Sequence, residues 1–456
     1  MYRDPDPRFE SLGGHPVALR PLRPLRVGMI GIGTVGAGTF RVLARNQAEI
    51  AARAGRGIEV VAVAARNLPR AAGIVGEGVA LTDDPMQVAT HPAVDVLVEV
   101  AGGTGPARDW VLAAIAHGKH VVTANKALLA EHGEAIFGAA RQHGVAVAYE
   151  GAVAVSIPIV KALREGLTAN RIGWVAGIVN GTTNFILSKM RDEGLDFAQA
   201  LAQAQALGYA EADPAFDIEG IDAAHKLALL AANAFGMRVD FADVQVEGIT
   251  ALQRLDVACA EQLGYRIKLL AVARHREDGV ELRVQPALLP ATHLLAQVNG
   301  SLNGIVVHGD ASGMTLYCGA GAGSEQTASA VIADLVDVAR LEGTHAAQRV
   351  PHLGFHAHAL QTLPVLPRAA VRTRHYLRVP VHSIPGMEAV ATLLQRQGVP
   401  VQRIEWMAGH DDAVRQVLVL TDEAPQGALD LAVHALQALP EVAGPGVQWR
   451  VELLAG

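Results

Sequence analysis

The chain has 456 residues, half of them hydrophobic, with a formal net charge of −7 and two cysteines. That length suggests two to four domains and supports a large core, while mild acidity without a basic block excludes nucleic acid as an expected partner. Cys259 and Cys318 exclude a disulfide framework and fit a reducing, cytoplasmic setting; the apolar runs are too short for a membrane span, and no secretory leader is read at the start.

Residues 1–25, rich in proline and arginine, read as a mobile tail. From Arg26 the pattern changes to a short apolar strand, a glycine turn and a helix, in "RVGMIGIGTVGAGTF". Gly31, Gly33 and Gly36 make G-x-G-x-x-G in that strand–turn–helix context. The first glycine permits the turn, the second lets backbone approach a pyrophosphate, and the third lets helix and strand pack closely. Thr34 and Val35 lie between them and are read with the cofactor loop. A free ribose 2′-hydroxyl usually meets an acid at the end of the second strand. Here "VAVAARN" offers Arg66, with Arg70 nearby. Arginine suits a 2′-phosphate, so NADP is favoured over NAD.

Strands and helices continue to alternate through "VDVLVEVAGG", "HVVTANKALLA" and "VAVAYEGAV", which predicts a doubly wound parallel sheet ending near Ala154. Lys126 stands just past a strand, at the end where ligands gather in such sheets. Residues 155–318 mix helices with strand-like runs and read as a separate α+β domain. Within it, "GIVNGTTNFILSKM" places a glycine–hydroxyl turn before a helix, a ready binder of carboxylate or phosphate. In "LGYAEADPAFDIEGIDAAHKLALLA", Glu211, Asp213, Asp217, Glu219 and Asp222 crowd close to Lys226. Spacing alone leaves a solvated loop and a metal site both open. Asp222 and Lys226 are four apart on an apolar helix and share a face. "GAGAGSEQTASAVIADLVDVAR" is a glycine loop opening a helix, and 319–345 is assigned back to the first domain. Proline-rich 346–371 reads as a linker. Residues 372–456 read strand–helix–strand–strand–helix–strand, the ferredoxin-like order.

"VVTANKALLA", "GIVNGTTNFILSKM", "LGYAEADP…GIDAAHKLALLA" and "GAGAGSEQTASAVIADLVDVAR" stand in the same order as in homoserine dehydrogenase, which the chain resembles over residues 26–345. The C-terminal unit resembles the ACT domain that many members append, and no aspartokinase segment is read ahead of residue 26, as in the monofunctional form. The resemblance implies NAD(P)-dependent interconversion of L-homoserine and L-aspartate 4-semialdehyde, on the branch to threonine, methionine and isoleucine. It implies Lys226 as the catalytic lysine and Lys126 as a second lysine by nicotinamide and substrate. It also implies Glu211 and Asp222 as substrate-binding acids and Asp217 as a supporting one, with Tyr209 and Thr182 in the same pocket. Gly208 and Gly323 fall near the cofactor. Glu150, Val153, Val155 and Ile157 match a monovalent-cation site, mostly of main-chain oxygens and often holding sodium. The family implies a homodimer or homotetramer, and threonine as a candidate ACT ligand.

The sequence departs from the family's usual text at Val155 and Ser156, often glycines, and at Ala320 and Gln326, often prolines. In the C-terminal unit, Pro385 and Gly386 of "HSIPGMEAV" are retained, but Ser383 stands near the position of the usual acid. Chemistry agrees with the implied roles: reducing an aldehyde builds charge on oxygen, which two lysines can stabilise while one supplies a proton. His225, beside this pair, is expected to be structural. Two rival readings are an aspartate-semialdehyde dehydrogenase, which needs a reactive cysteine, and a cofactor-binding amino-acid sensor.

Overall fold

The computed structural model describes residues 22–407 and 414–454. Most of the predicted tail therefore lies outside the described residues. Arg23 pairs with Asp95 at 2.6 Å, and the first strand begins at Leu25.

Six parallel strands form the first sheet: β1 Leu25–Ile30, β2 Ile58–Ala64, β3 Ala80–Thr82, β4 Val96–Glu99, β5 His120–Thr123 and β6 Val147–Ala148. Their order is β3-β2-β1-β4-β5-β6, the doubly wound arrangement. Val27, Met29, Val96, Leu97, Val98, Val121 and Val122 are fully buried, as strands covered on both faces require. The direction in which successive strands are added reverses between β1 and β4, where Ile30 lies opposite Glu99. A crevice opens there, beyond the carboxyl ends of the strands.

The helix Ser324–Arg340 packs on this sheet. Its Ala328, Val331 and Leu335 share a core with Val27, Val63 and Val96. Residues 319 and 320, assigned to the first unit from sequence, instead end a strand of the second sheet, Gly313–Ala320.

The second sheet is larger than the sequence suggested. Its main path runs Gly313–Ala320, Leu302–Gly309, Ile172–Ile178, Tyr265–Arg276, Gly279–Pro290, Val447–Val451, Arg372–Val381, Arg415–Thr421 and Val401–Trp406. The last four strands have the ferredoxin-like order 4-1-3-2. The final strand pairs in parallel with Gly279–Pro290, Ala287 opposite Arg450 and Leu288 opposite Val451. The C-terminal unit is thus joined to the middle unit by main-chain hydrogen bonding.

The segment 346–371 is also more engaged than a linker. It has short 3₁₀ turns and makes isolated bridges, Gln361 to Met237 and Val365 to Val280. Its Leu353 and Leu366 are buried. The absence of a sequence period reflects a packed strap held by bridges, which imposes none.

The helix Ile221–Phe235 packs between the second sheet and the helix Lys126–His143 of the first unit. Every residue from Asp222 to Phe235 is buried. A helix apolar all round belongs in a core. Each fully buried leucine here contributes about 1.5–3 kcal/mol. That offsets the several kcal/mol per ion that burying Asp222 and Lys226 costs.

Candidate active site

The glycine turn is built to hold a dinucleotide. A Cβ on Gly36 would lie 2.1 Å from the Gly31 carbonyl oxygen, so only glycine lets the helix Thr34–Arg45 approach β1 this closely. Gly31 has φ +99°, a left-handed conformation that fits glycine. At Gly33, by contrast, an added Cβ would meet nothing within 4 Å. That is open space in front of a helix N-terminus, where backbone can meet a pyrophosphate. A groove of about 520 Å³ runs from these glycines past Arg66, Asn67 and Arg70 to Gly102 and Gly103. Arg66 lines this groove.

A buried acid organises the far side of this groove. Glu99 accepts hydrogen bonds from the N–H groups of Ala101 and Gly102, at 3.0 and 3.1 Å, and from the Thr123 hydroxyl at 2.8 Å. Burial raises its carboxyl above the ordinary value, against the pull of those donors. Asn125 donates to the Gly103 carbonyl at 2.7 Å and caps the following helix by accepting from the Leu128 N–H. That helix, Lys126–His143, begins with Lys126. Asn125 thus ties the Gly102–Gly103 loop on the groove wall to the start of the helix that carries Lys126.

Beyond the groove lies a cavity of about 780 Å³, walled by both units. It contains Thr34, Val35, Lys126, Thr182, Gly208, Tyr209, Glu211, Asp217, Asp222, Lys226 and Gly323, so the predicted substrate residues and much of the cofactor set converge on one space. At its centre Asp222 lies between two lysines. Its carboxylate oxygens are 2.7 Å from Lys226 Nζ and 3.1 Å from Lys126 Nζ. Lys226 also donates to the Val179 carbonyl at 2.7 Å. Burial alone would raise the Asp222 carboxyl, but the charges of Lys226 and Lys126 hold it well below the usual carboxylate range. Burial lowers Lys226 from its ordinary value; Asp222 opposes that shift and the like charge of Lys126 adds to it.

Sequence reasoning missed Asn180. Its amide donates to Asp217 at 2.7 Å and to Asp222 at 2.8 Å, while its carbonyl oxygen accepts from the Thr183 N–H. One side chain therefore caps the helix Gly181–Asp192 and orients both acids. The Asp217 carboxyl is raised, chiefly by burial, with the Asp222 charge adding to the shift. An N-cap asparagine before Gly-Thr-Thr was the available signal. Phe216 was missed too; its ring centroid is 5.6 Å from Lys126 Nζ. The Thr182 hydroxyl donates to the Tyr209 carbonyl at 2.8 Å, and the Tyr209 ring packs 4.7 Å from Phe185. Glu211 is exposed on the cavity wall.

His225 is held apart, 4.2 Å from the Phe241 ring and 5.5 Å from Phe216, as a structural side chain would be. Neither cysteine reaches the cavity. Cys259 is buried, its thiol raised by burial and its Sγ 3.4 Å from Met407 Sδ. Cys318 is on the edge strand Gly313–Ala320. The thioester reading therefore has no nucleophile here.

At the cation-site positions, the Glu150 carboxylate accepts from the Val160 and Lys161 N–H groups at 3.0 and 2.8 Å. Ala154 and Val155 have φ of 52° and 50°, a conformation costly for valine. Among the described residues, no helix is long and apolar enough to cross a membrane, and no His/Cys/Asp/Glu group is arranged to hold a metal ion.

Residues 158–336 match the homoserine dehydrogenase family, and residues 31–150 match the homoserine dehydrogenase NAD-binding domain. A homoserine dehydrogenase of Pseudomonas aeruginosa is 52% identical over 95% of this chain and 100% of its own length. One from Neisseria gonorrhoeae is 46% identical with the same coverage. The crystal structure of a homoserine dehydrogenase from Thiobacillus denitrificans superposes with a TM-score of 0.90 at 51% identity, covering 95% of this chain and 99% of that one. The paired lysines and acids, opening onto a glycine-cradled dinucleotide groove, belong to a chain that matches these proteins over 95% of its length: it is a member of the homoserine dehydrogenase family, NAD(P)-dependent oxidoreductases that act on the CH–OH group of homoserine in amino-acid biosynthesis.

Proposed function

We propose that Lys226 is the proton donor and acceptor for this reaction, with Lys126 as the second cation at the reacting oxygen. The observation that carries this reading is the placement of Asp222 between the two lysines, where the cofactor groove meets the cavity. In homoserine oxidation the nicotinamide dinucleotide supplies the hydride acceptor. Lys226 takes the hydroxyl proton, and its lowered proton affinity makes the neutral amine accessible for that step. In reduction Lys226 returns the proton while Lys126 stabilises charge on the oxygen. Asp222 fixes both ammonium groups, and Asn180 fixes Asp222. Glu211 and Asp217 face the same cavity and suit the substrate's ammonium. The N-terminus of Gly181–Asp192, with Thr182, suits its carboxylate.

We assign NADP as the preferred cofactor, supported by Arg66 and Arg70 on the groove wall where an acid would favour NAD. Homoserine oxidation with NADP and NAD in parallel tests both assignments. NADP should support the higher kcat/KM, and Arg66→Ala should reduce that advantage about tenfold, on the scale of one lost charge-assisted contact. An unchanged ratio would reject Arg66 as the discriminator; no turnover by folded, cofactor-binding protein would reject the catalytic assignment in favour of a sensor.

The main-chain oxygens of Val153, Val155 and Ile157 would hold a monovalent cation, read as sodium, supported by the left-handed turn at Ala154 and Val155. The unpaired cysteines support a cytoplasmic setting. A homodimer or homotetramer is supported by the edge strand Gly313–Ala320, whose Met314 and Leu316 are 51% and 37% exposed. An ACT-type regulatory role for the C-terminal unit, with threonine as ligand, is supported by its strand order and by the close packing of Gly386 on Val381 at the helix start. Light scattering should give at least a dimer mass, and threonine should lower the rate or shift the melting temperature. A monomer would remove the first assignment, and a flat titration the second.

A further inference from the structure

A second polar cavity lies on the other unit boundary, where the middle part of the large sheet meets the C-terminal part. Its volume is about 430 Å³. Arg274 and Arg276 reach it from the strand Tyr265–Arg276, and Arg372 and Arg374 from the first strand of the C-terminal unit. His308 lines it as well, stacked on Trp174 at 5.5 Å. The acids in its wall are Glu423 and Glu452.

The charge beneath the cavity is unbalanced. Glu452 is 2% exposed; its carboxylate is 2.5 Å from Arg283 and 3.6 Å from Arg274. Glu281, 1% exposed, serves Arg276 at 2.7 Å and Arg283 at 3.3 Å. Arg450, also buried, bonds only the neutral Gln426 side chain, at 3.0 Å. Three guanidinium groups thus share two buried carboxylates, and a fourth, Arg450, rests on a neutral amide. Arg274, on the cavity wall, has its Nε buried without a hydrogen-bond partner; behind the wall, Arg283 Nε and Nη1 and Arg450 Nη1 are unpartnered too and add positive charge beneath the cavity. Unpaired buried donors of charged groups are costly, and an oxyanion satisfies guanidinium donors well. At the rim, Arg374 is 3.7 Å from Asp422, and Arg372 donates to the Glu423 main-chain oxygen at 3.3 Å. Both rim arginines retain donors to spare.

We propose that this cavity is a binding site for a small oxyanion, a phosphate or carboxylate group, held jointly by arginines of the middle sheet and of the C-terminal unit. The catalytic cavity is formed by other residues, and the site does not depend on the role given to Lys226. An anion here adds a contact across a junction whose parallel main-chain pairing spans only Ala287–Arg450 and Leu288–Val451. It therefore strengthens attachment of the C-terminal unit.

The test uses the full chain saturated with NADP, so that phosphate cannot act through the dinucleotide groove. Inorganic phosphate, and in a parallel arm succinate, is titrated against chloride at constant ionic strength while melting temperature is followed. Phosphate or succinate should raise the transition by several degrees with a saturating dependence, and the arm with the lower midpoint identifies the oxyanion class. The variant Arg372→Gln/Arg374→Gln leaves the buried Arg283–Glu281–Glu452 cluster intact. It should keep its turnover and lose most of the shift. Equal shifts in parent and variant, or none in either arm up to tens of millimolar, would overturn the proposal. Should that variant fold poorly, Arg374→Lys, which keeps the charge but not the planar donor fork, is expected to weaken the midpoint at least fivefold; an unchanged midpoint would again overturn it.

Discussion

Replacing Lys226 by methionine should lower kcat by about 10³-fold, or roughly 4 kcal/mol in the barrier, while NADP binding persists. Lys226 is buried at the cavity wall and, among the described residues, bonds Asp222 and the Val179 carbonyl. Methionine, one heavy atom shorter, keeps most of the apolar stem and has no proton to move. Asp222 keeps Lys126 at 3.1 Å and Asn180 at 2.8 Å, so its charge stays compensated and the fold should survive. The pH profile separates catalysis from a structural role. For the parent, kcat/KM for homoserine should rise with pH, because the amine must be neutral to accept the proton, and it should level off below the ordinary lysine range. In Lys226→Met that limb should vanish. Lys226→Arg should stay inactive despite its retained charge, since guanidinium does not give up its proton. Near-normal turnover by folded Lys226→Met would reject the assignment.

The second large effect concerns the glycine turn. Gly36→Ala should weaken NADP binding at least 100-fold and lower the melting temperature. Its methyl group would stand 2.1 Å from a main-chain oxygen that has no flexible tip to move aside. Gly33→Ala should behave differently. Nothing lies within 4 Å of the added carbon, so stability should change little, yet the methyl would occupy the backbone's approach to the pyrophosphate. Cofactor titration and thermal unfolding of the two variants measure the contrast. Gly33→Ala binding NADP as the parent does would reject this position as the cradle; Gly36→Ala of parental stability would reject the close-packing argument.

Much of the molecule is legible in its sequence alone. Periodicity and glycine placement carry the six-stranded parallel unit, because two-sided burial forces short apolar runs and the phosphate turn forces glycine. The i,i+4 spacing of Asp222 and Lys226 places them on one helical face, and they do pair at 2.7 Å. Such features depend on the chain's local geometry, which the sequence states directly.

Other features depend on which distant residues meet. Lys126 and Asp222 are 96 residues apart and join only because two units close on each other. Asn180 reads locally as a helix cap, yet its amide also joins Asp217 and Asp222, 37 and 42 residues away. The strap at 346–371 has no period because it conforms to surfaces already built. The join between the final strand and Gly279–Pro290 rests on main-chain pairing, which has little side-chain signature. By itself the sequence determined the dinucleotide fold, the pairing of Asp222 with Lys226 and the ferredoxin-like unit, since each follows from local period and turn chemistry. Only the tertiary structure decided that one aspartate is shared by two lysines and that one sheet runs through both later units, because those contacts arise from packing across long chain separations.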